Sequence, residues 1–262
     1  MPELPEVEIM ARNLHQWLVG SVIQRVDVLD AKFDAEALSS IEGSTVVRAW
    51  RRAKYAVVDL DSDHHLVFHY RMTGKTVLDP TGRRKARLRL VPEQGCPVAF
   101  EDTRRFGEVW VLPSDQMEAF FEQRKLGPEP WPVVRDGSWW SERLSGLKGE
   151  IKPALMKQDR VAGLGNIIAS EVCYRACVDP RKPVAHLQAE DWQEIAQAVR
   201  LVIDRTLVSD GGDEIMYVNM GGENFFAVYG REGSACQLCD TPIERITQSG
   251  RSSFFCPNCQ SR

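Results

Sequence analysis

The sequence opens Met1-Pro2-Glu3-Leu4-Pro5-Glu6-Val7-Glu8. Removal of Met1 would leave Pro2 with a secondary amine. An α-amino group titrates near ~7.7–8.0, so a usable fraction is a neutral nucleophile at neutral pH. Glu3 and Glu6 stand beside it. An amine that attacks carbon, next to an acid that moves a proton, is a catalytic pair. The plainer role of such acids is to favour the dipole of a first helical turn.

The second chemical cluster is Cys236-x-x-Cys239, sixteen residues, then Cys256-x-x-Cys259. This is the spacing of a tetrahedral all-thiolate zinc site. With four protein sulfurs no coordination position stays open, so the expected role is one structural Zn²⁺. The intervening segment predicts a β-hairpin: Ile243–Thr247, a turn at Gln248-Ser249-Gly250, and Ser252–Phe255. Arg251 falls beside that turn, as a solvated tip residue or as a fork for phosphate. Cys96, Cys173 and Cys177 are scattered and read as small core residues.

Two further turns carry candidates. Gly163-Leu164-Gly165-Asn166 enters a predicted helix, with Asn166 as its N-cap. Backbone amides at such a start suit phosphate, although the same sequence is a routine helix connection. Asp102-Thr103-Arg104-Arg105-Phe106-Gly107 sets guanidinium groups beside an aromatic ring. Arginines position a protein on duplex phosphates while an apolar wedge enters the base stack; the alternative is a β-turn whose Phe106 returns to the core.

These residues need elements to hold them. Val7, Met10, Ala11, Leu14, Trp17 and Leu18 recur at helical spacing, so residues 3–18 predict a helix that anchors the terminus and ends at Gly20. Short alternating runs then predict strands at 22–28, 45–50, 55–60, 66–70, 86–91, 98–101 and 109–112, a sandwich or barrel. The Pro-rich stretch 126–132 marks a linker, and the domain boundary is placed between 120 and 138. Helices are expected at 138–147, 151–159, 167–177 and 190–207. The glycine-rich run 211–230, with Phe225 and Phe226, reads as a functional loop or a connector.

The 262 residues suffice for two domains, with 43% hydrophobic and 27% charged residues. No apolar run approaches the ~18 residues a membrane span needs, and no signal peptide is evident, so a cytoplasmic protein is expected. The net charge of −4 and pI of 5.8 argue weakly against nucleic acid, but binding depends on local patches. Arg48, Arg51, Arg52 and Lys54 form one basic cluster, and Arg83, Arg84, Lys85, Arg87 and Arg89 another. The second reads as a charged strand edge.

Read together, the motifs resemble the formamidopyrimidine-DNA glycosylases and the wider superfamily with the endonuclease VIII-like enzymes. The matching blocks are Pro2–Glu8, Arg51–Tyr55, His69 with Met72-Thr73-Gly74, Arg104–Gly107, Leu126–Pro130, Ile151-Lys152-Pro153 with Leu155-Met156, Gly163–Ile167 with Ala169-Ser170-Glu171, Tyr229-Gly230-Arg231 and the cysteine hairpin. Leu4 favours the formamidopyrimidine branch. The resemblance implies an α+β fold in four parts. An N-terminal helix and β-sandwich domain spans 1–125, and a linker 126–138. A helix-two-turns-helix domain spans 139–229 with a lesion loop at 211–229, and a zinc-finger hairpin 230–262.

It also implies roles. Pro2 would attack C1′ of the damaged nucleotide, Glu3 would donate a proton that opens the sugar with Glu6 in support, and Lys54 would hold phosphate and assist cleavage. Asn166 and Arg251 would grip the phosphates beside the flipped nucleotide, and Lys152 would reach the backbone. Met72, Arg104 and Phe106 would fill the hole in the duplex. The implied protein is a monomeric bacterial glycosylase and AP lyase acting on damaged double-stranded DNA at the nucleoid. Its expected substrates are formamidopyrimidine and 8-oxoguanine; the alternatives are oxidised pyrimidines, a non-catalytic lesion binder, or a zinc-ribbon module fused to an unrelated β domain.

Two positions depart from the family pattern. Tyr70-Arg71-Met72 stands where Leu-Gly-Met is usual, and Gly211-Gly212 is followed by Asp213-Glu214 rather than Thr-Thr, with a shorter run to Tyr229.

Overall fold

The computed structural model describes residues 2–82, 85–209 and 224–261. Met1, Arg83, Arg84, and the loop positions Gly211, Gly212, Asp213, Glu214, Gly221 and Gly222 therefore lie outside the described residues. The chain divides into two compact units, with the boundary in the continuous chain between Arg124 and Lys125.

The first unit opens with α1 (Leu4–Leu18). Its apolar stripe is fully buried at Leu4, Val7, Leu14 and Leu18, and each such side chain contributes about 1.5–3 kcal/mol. The strands form two antiparallel four-stranded sheets. One has the order β1 (Ile23–Val28), β6 (Ala86–Pro92), β7 (Val98–Glu101), β5 (Lys75–Leu78). The other has the order β2 (Val46–Arg52), β3 (Tyr55–Leu60), β4 (His64–His69), β8 (Glu108–Pro113). β3 is buried at Tyr55, Ala56, Val57 and Val58 in succession because α1 packs on it and on β2. β6 alternates buried and half-buried residues, as a strand with one wet face does.

Three elements escaped the periodicity: α2 (Ala35–Ser39), β5 and α3 (Met117–Gln123). Each is short, and β5 is set off by Gly74, where a Cβ would meet the Tyr70 carbonyl oxygen at 2.5 Å. Arg87 and Arg89 of the second basic cluster are not on a strand edge. β6 is an interior strand, and its arginines are paired: Arg89 with Asp79 at 2.7 Å, and Arg87 with the Asp102 carbonyl at 2.9 Å.

The second unit holds α4 (Gly137–Leu144), α5 (Ile151–Leu155), α6 (Asn166–Arg175), α7 (Ala189–Ser209) and the hairpin β9 (Glu244–Gln248) and β10 (Arg251–Phe255). α4 and α6 pack on α7, and β10 packs on α6. α5 ends four residues earlier than the pattern suggests. There Gln158 takes over the chain: its Nε2 donates to the carbonyls of Met156 and Leu164, and its Oε1 accepts the Gly163 amide. The hairpin turn is the two-residue Ser249-Gly250, both with positive φ (48° and 74°), as a tight turn matching the strand twist requires. Cys173 is a fully buried thiol that burial pushes up to about 12, consistent with a core residue. No described helix is long and apolar enough to cross a membrane.

Candidate functional site

Pro2 and Glu3 are buried at the head of α1. Glu6 accepts the Glu3 amide at 2.8 Å, and Glu3 takes the Glu6 amide in return, a capping box. Both expectations for the acidic pair therefore meet in one geometry: the carboxylates terminate the helix, and by doing so they fix where Pro2 and the Glu3 carboxyl stand.

Lys54 sits in the two-residue turn between β2 and β3 beside Ala53, whose φ is 53°. The turn is tied to α1 by Arg51, whose side chain is 3% exposed. Its Nε donates to Glu8 (3.0 Å) and its Nη1 to the Ala53 carbonyl (3.0 Å). Arg48 is likewise occupied by Asp59. Two members of the first basic cluster are thus neutralised, and Arg51 joins the helix that follows Pro2 to the turn that bears Lys54. Lys54 itself is only 9% exposed.

His69, at the end of β4, packs against the Tyr55 ring at 4.6 Å. Burial, reinforced by the charges of Arg71, Lys54 and Arg124, holds it down to about 3. It is neutral at physiological pH, and its Nδ1 has no partner among the described residues. Arg71, the unusual residue of that block, donates to Glu108 at 2.6 Å. It is spent on a surface pair rather than on chemistry.

Met72 and Phe106 are 40% and 50% exposed, so Phe106 does not return to the core. The Arg104 guanidinium lies 4.8 Å from the Phe106 ring centre. Both turns rest on Asp102, a buried carboxylate. It accepts the Thr73 hydroxyl, the Arg104 amide (3.2 Å) and the Gly107 amide (2.7 Å). A Cβ at Gly107 would meet the Phe100 ring at 2.5 Å, so only glycine lets this loop close. Arg105 is not available to phosphate: it forms a two-pronged pair with Asp30 at 2.6 and 2.8 Å. Arg51 and Asp102 support these turns in ways that motif reading missed.

In the second unit the N-cap of α6 is Gly165, not Asn166. Asn166 is the first helical residue, and its amide faces the hairpin: Nδ2 donates to the Ser252 carbonyl at 2.9 Å. Its Oδ1 accepts from Lys152 at 2.6 Å. The expectation that Lys152 reaches DNA is also revised. Lys152 is 1% exposed, and its ammonium is shared among Asn166, the Ser252 carbonyl (3.1 Å) and Ser253 Oγ (2.7 Å). It builds the cradle from beneath. Arg251, by contrast, is exposed at the start of β10, paired in register with Gln248.

Glu171 was not assigned a role from sequence. Buried on α6, it accepts the amides of Ala227, Val228 and Tyr229, each at 2.9 Å. It pins the chain where it returns to the hairpin.

The sulfurs of Cys236, Cys239, Cys256 and Cys259 lie within 4.8 Å of one another. Recorded pairs are 3.4, 3.5 and 3.9 Å apart, close to the ~3.8 Å edge implied by a tetrahedron with Zn–S bonds of about 2.3 Å. The Leu238 and Cys259 amides point at Cys236 and Cys256 sulfurs at 3.4 Å. Four converging thiolates with donors behind them fit one structural zinc.

Three family models match. The formamidopyrimidine-DNA glycosylase N-terminal domain covers residues 1–109, the H2TH domain of the same enzymes 126–216, and the zinc finger found in these enzymes and isoleucyl-tRNA synthetase 233–262. The formamidopyrimidine-DNA glycosylase of Novosphingobium aromaticivorans is 36% identical over 270 residues, covering 99% of this chain and all of that protein. Lactococcus lactis Fpg, 30% identical with full coverage of both chains and a TM-score of 0.88, has been solved with DNA containing N7-benzyl-Fapy-dG and with DNA containing an oxidised pyrimidine. With its helix-capped proline terminus, its Asp102-held turns and its four-thiolate hairpin, the chain belongs to the formamidopyrimidine-DNA glycosylase family.

Proposed function

We propose that the protein excises oxidised or ring-opened purines from duplex DNA and then cuts the strand as an AP lyase, with Pro2 as the nucleophile. A base inside the duplex is out of reach, so the damaged nucleotide must leave the stack. The Pro2 amine attacks C1′, the bond to the base breaks, and Glu3 supplies a proton to the opening sugar. The product is an iminium joining protein and sugar, from which loss of the C2′ proton expels the 3′ phosphate. Lys54 holds phosphate for that step. Asn166 and Arg251 hold the backbone on either side, and Met72, Arg104 and Phe106 occupy the vacated stack. In this reading residues 1–125 are catalytic, 139–229 and 230–262 grip DNA, and the protein works as a monomer on cytoplasmic, nucleoid DNA.

The observation that carries the reading is the capping box, which locks the Pro2-Glu3 pair onto α1. The zinc hairpin supplies rigidity, not a reactive metal. The test is borohydride trapping on a duplex with a ring-opened purine. Protein with a native Pro2 terminus should form a covalent adduct; protein with Met1 or a tag retained should bind and form none, because an amide nitrogen is not nucleophilic. Binding without trapping by the processed protein would remove the proposal. A second reading, oxidised pyrimidines, is favoured by the Lactococcus complex with such DNA. A panel of lesion duplexes under single turnover separates the two.

A further inference from the structure

Beside the hairpin tip the second unit has an open cleft of about 170 Å³. Its apolar wall is Pro153 and Met156; its polar lining is Lys152, Lys157, Gln248, Ser249 and Arg251. Lys157 follows α5 and Arg251 opens β10, so two elements far apart in sequence each place an exposed cation at the cleft, in addition to the buried Lys152 of α5. Neither exposed side chain has a partner among the described residues. This sets them apart from Arg51, Arg87, Arg89 and Arg105, which are all committed to acids or carbonyls.

Gln248 adds a third observation. It is 6% exposed. Its Nε2 donates to Glu150 (2.6 Å) and to the Pro180 carbonyl (3.0 Å), which fixes the orientation of the amide. Its buried Oε1 has no partner among the described residues. The two Nε2 bonds tie the end of β9, which pairs with Arg251 across the hairpin turn, to Glu150 before α5 and to Pro180.

We propose that this cleft is a phosphate subsite, in which Lys157 acts with Arg251 on a DNA backbone phosphodiester while Gln248 holds the hairpin tip in place. It rests on the reading that the protein binds damaged duplex DNA, and it adds Lys157 to the binding residues. Two like charges across a small cleft repel each other, and an anion between them converts that repulsion into attraction. Each phosphate neutralised releases condensed counterions, so the contact is visible in the salt dependence of binding.

The experiment compares wild type, Lys157→Gln, Lys157→Arg and Arg205→Gln, the last removing an exposed charge from α7. Affinity for a lesion duplex is measured against salt concentration, then against duplexes carrying a single neutral methylphosphonate at successive linkages. Lys157→Gln should lower the salt slope by about one and weaken binding several-fold, Lys157→Arg should restore both, and Arg205→Gln should change neither. One methylphosphonate that weakens wild type should no longer weaken Lys157→Gln. An unchanged slope and linkage profile in Lys157→Gln would overturn the proposal. A cleft that takes free phosphate instead would show inhibition by inorganic phosphate at matched ionic strength, with the linkage profile unmoved, and would overturn it equally. Borohydride trapping by wild type is scored separately, so loss of the general reading is not confused with loss of this subsite.

Discussion

The turns proposed to enter the base stack are mounted on a buried anion; the cradle proposed to hold phosphate is mounted on a buried cation. Asp102 and Lys152 are each 1% exposed. Asp102 gathers donors: one hydroxyl and two backbone amides. Lys152 gathers acceptors: one amide oxygen, one carbonyl and one hydroxyl. Both arrangements fix exposed side chains by satisfying polar groups underneath them, and buried charges require such partners. The sign differs, and the difference follows from what would lie above. A carboxylate beneath a phosphate would repel it, whereas bases in a stack are neutral and tolerate it. An ammonium beneath a phosphate adds attraction while its own hydrogens are consumed by the protein.

Metal removal should have the largest effect, because it takes away the hairpin that supplies Ser252 and Ser253 as partners of Lys152. Structural zinc in small fingers contributes about 10–16 kcal/mol. Chelation, or Cys256→Ser, should release one zinc per chain and abolish binding to lesion duplex, while the far-UV signal of the strands persists. Retained binding in metal-free protein would show that the hairpin is not part of the interface. Next comes Lys152→Met, which keeps the stem and deletes the charge. Removing one side of a buried charged network costs about 3–5 kcal/mol. The expected outcome is a lower thermal midpoint and a roughly 100-fold loss of affinity for lesion and undamaged duplexes alike. Asp102→Asn is smaller, about 1–3 kcal/mol, since one acceptor oxygen becomes a donor facing donors. Its loss should fall on lesion duplexes alone, because undamaged DNA has no vacancy to fill. If both variants lose the two duplexes in equal proportion, the contrast between the hubs fails.

The sequence revealed whatever is contiguous. Pro2-Glu3 with Glu6 lies inside one helical turn, the cysteine pairs repeat a ligand spacing, and α1 and α7 follow apolar periodicity. The hubs are not contiguous. Thr73 meets Asp102 across 29 positions, and Lys152 meets Ser253 across 101. Nothing local distinguishes Asp102 from any turn aspartate, or Lys152 from a surface lysine aimed at DNA. Arg51 was misread for the same reason: a run of basic residues looks like a patch until Glu8 is seen to arrive from α1. Asn166 looked like an N-cap because the residue type suits one, but Gly165 can cap without a side chain, and Lys152 draws the Asn166 oxygen toward the hairpin.

The smallest effect tests whether the stack-entering turn needs one buried anion or two. Asp30 lies under the same loop, accepting both prongs of Arg105. The hydrogen bonds from Arg105 hold its carboxyl below the usual range against the opposing effect of burial, helped by the Lys32 amide and the charges of Arg105 and Arg87. A depressed folded pKa means that the stabilisation is present above the unfolded value of about 3.9 and disappears as the pH falls through the folded one. Arg105 is 56% exposed, so solvent screens the pair and its contribution to stability should be small. Asp30→Asn should therefore lower the thermal midpoint by only about 2–4 °C near neutral pH. The gap to wild type should close as both are taken into acid below the folded pKa of Asp30. Affinity for lesion duplex should change less than in Asp102→Asn, because Asp30 holds the back of the loop through Arg105 whereas Asp102 holds the Arg104 amide itself. A gap that is constant with pH would assign Asp30 to packing rather than charge. A loss of affinity equal to that of Asp102→Asn would mean that the turn is clamped by two anions acting as one.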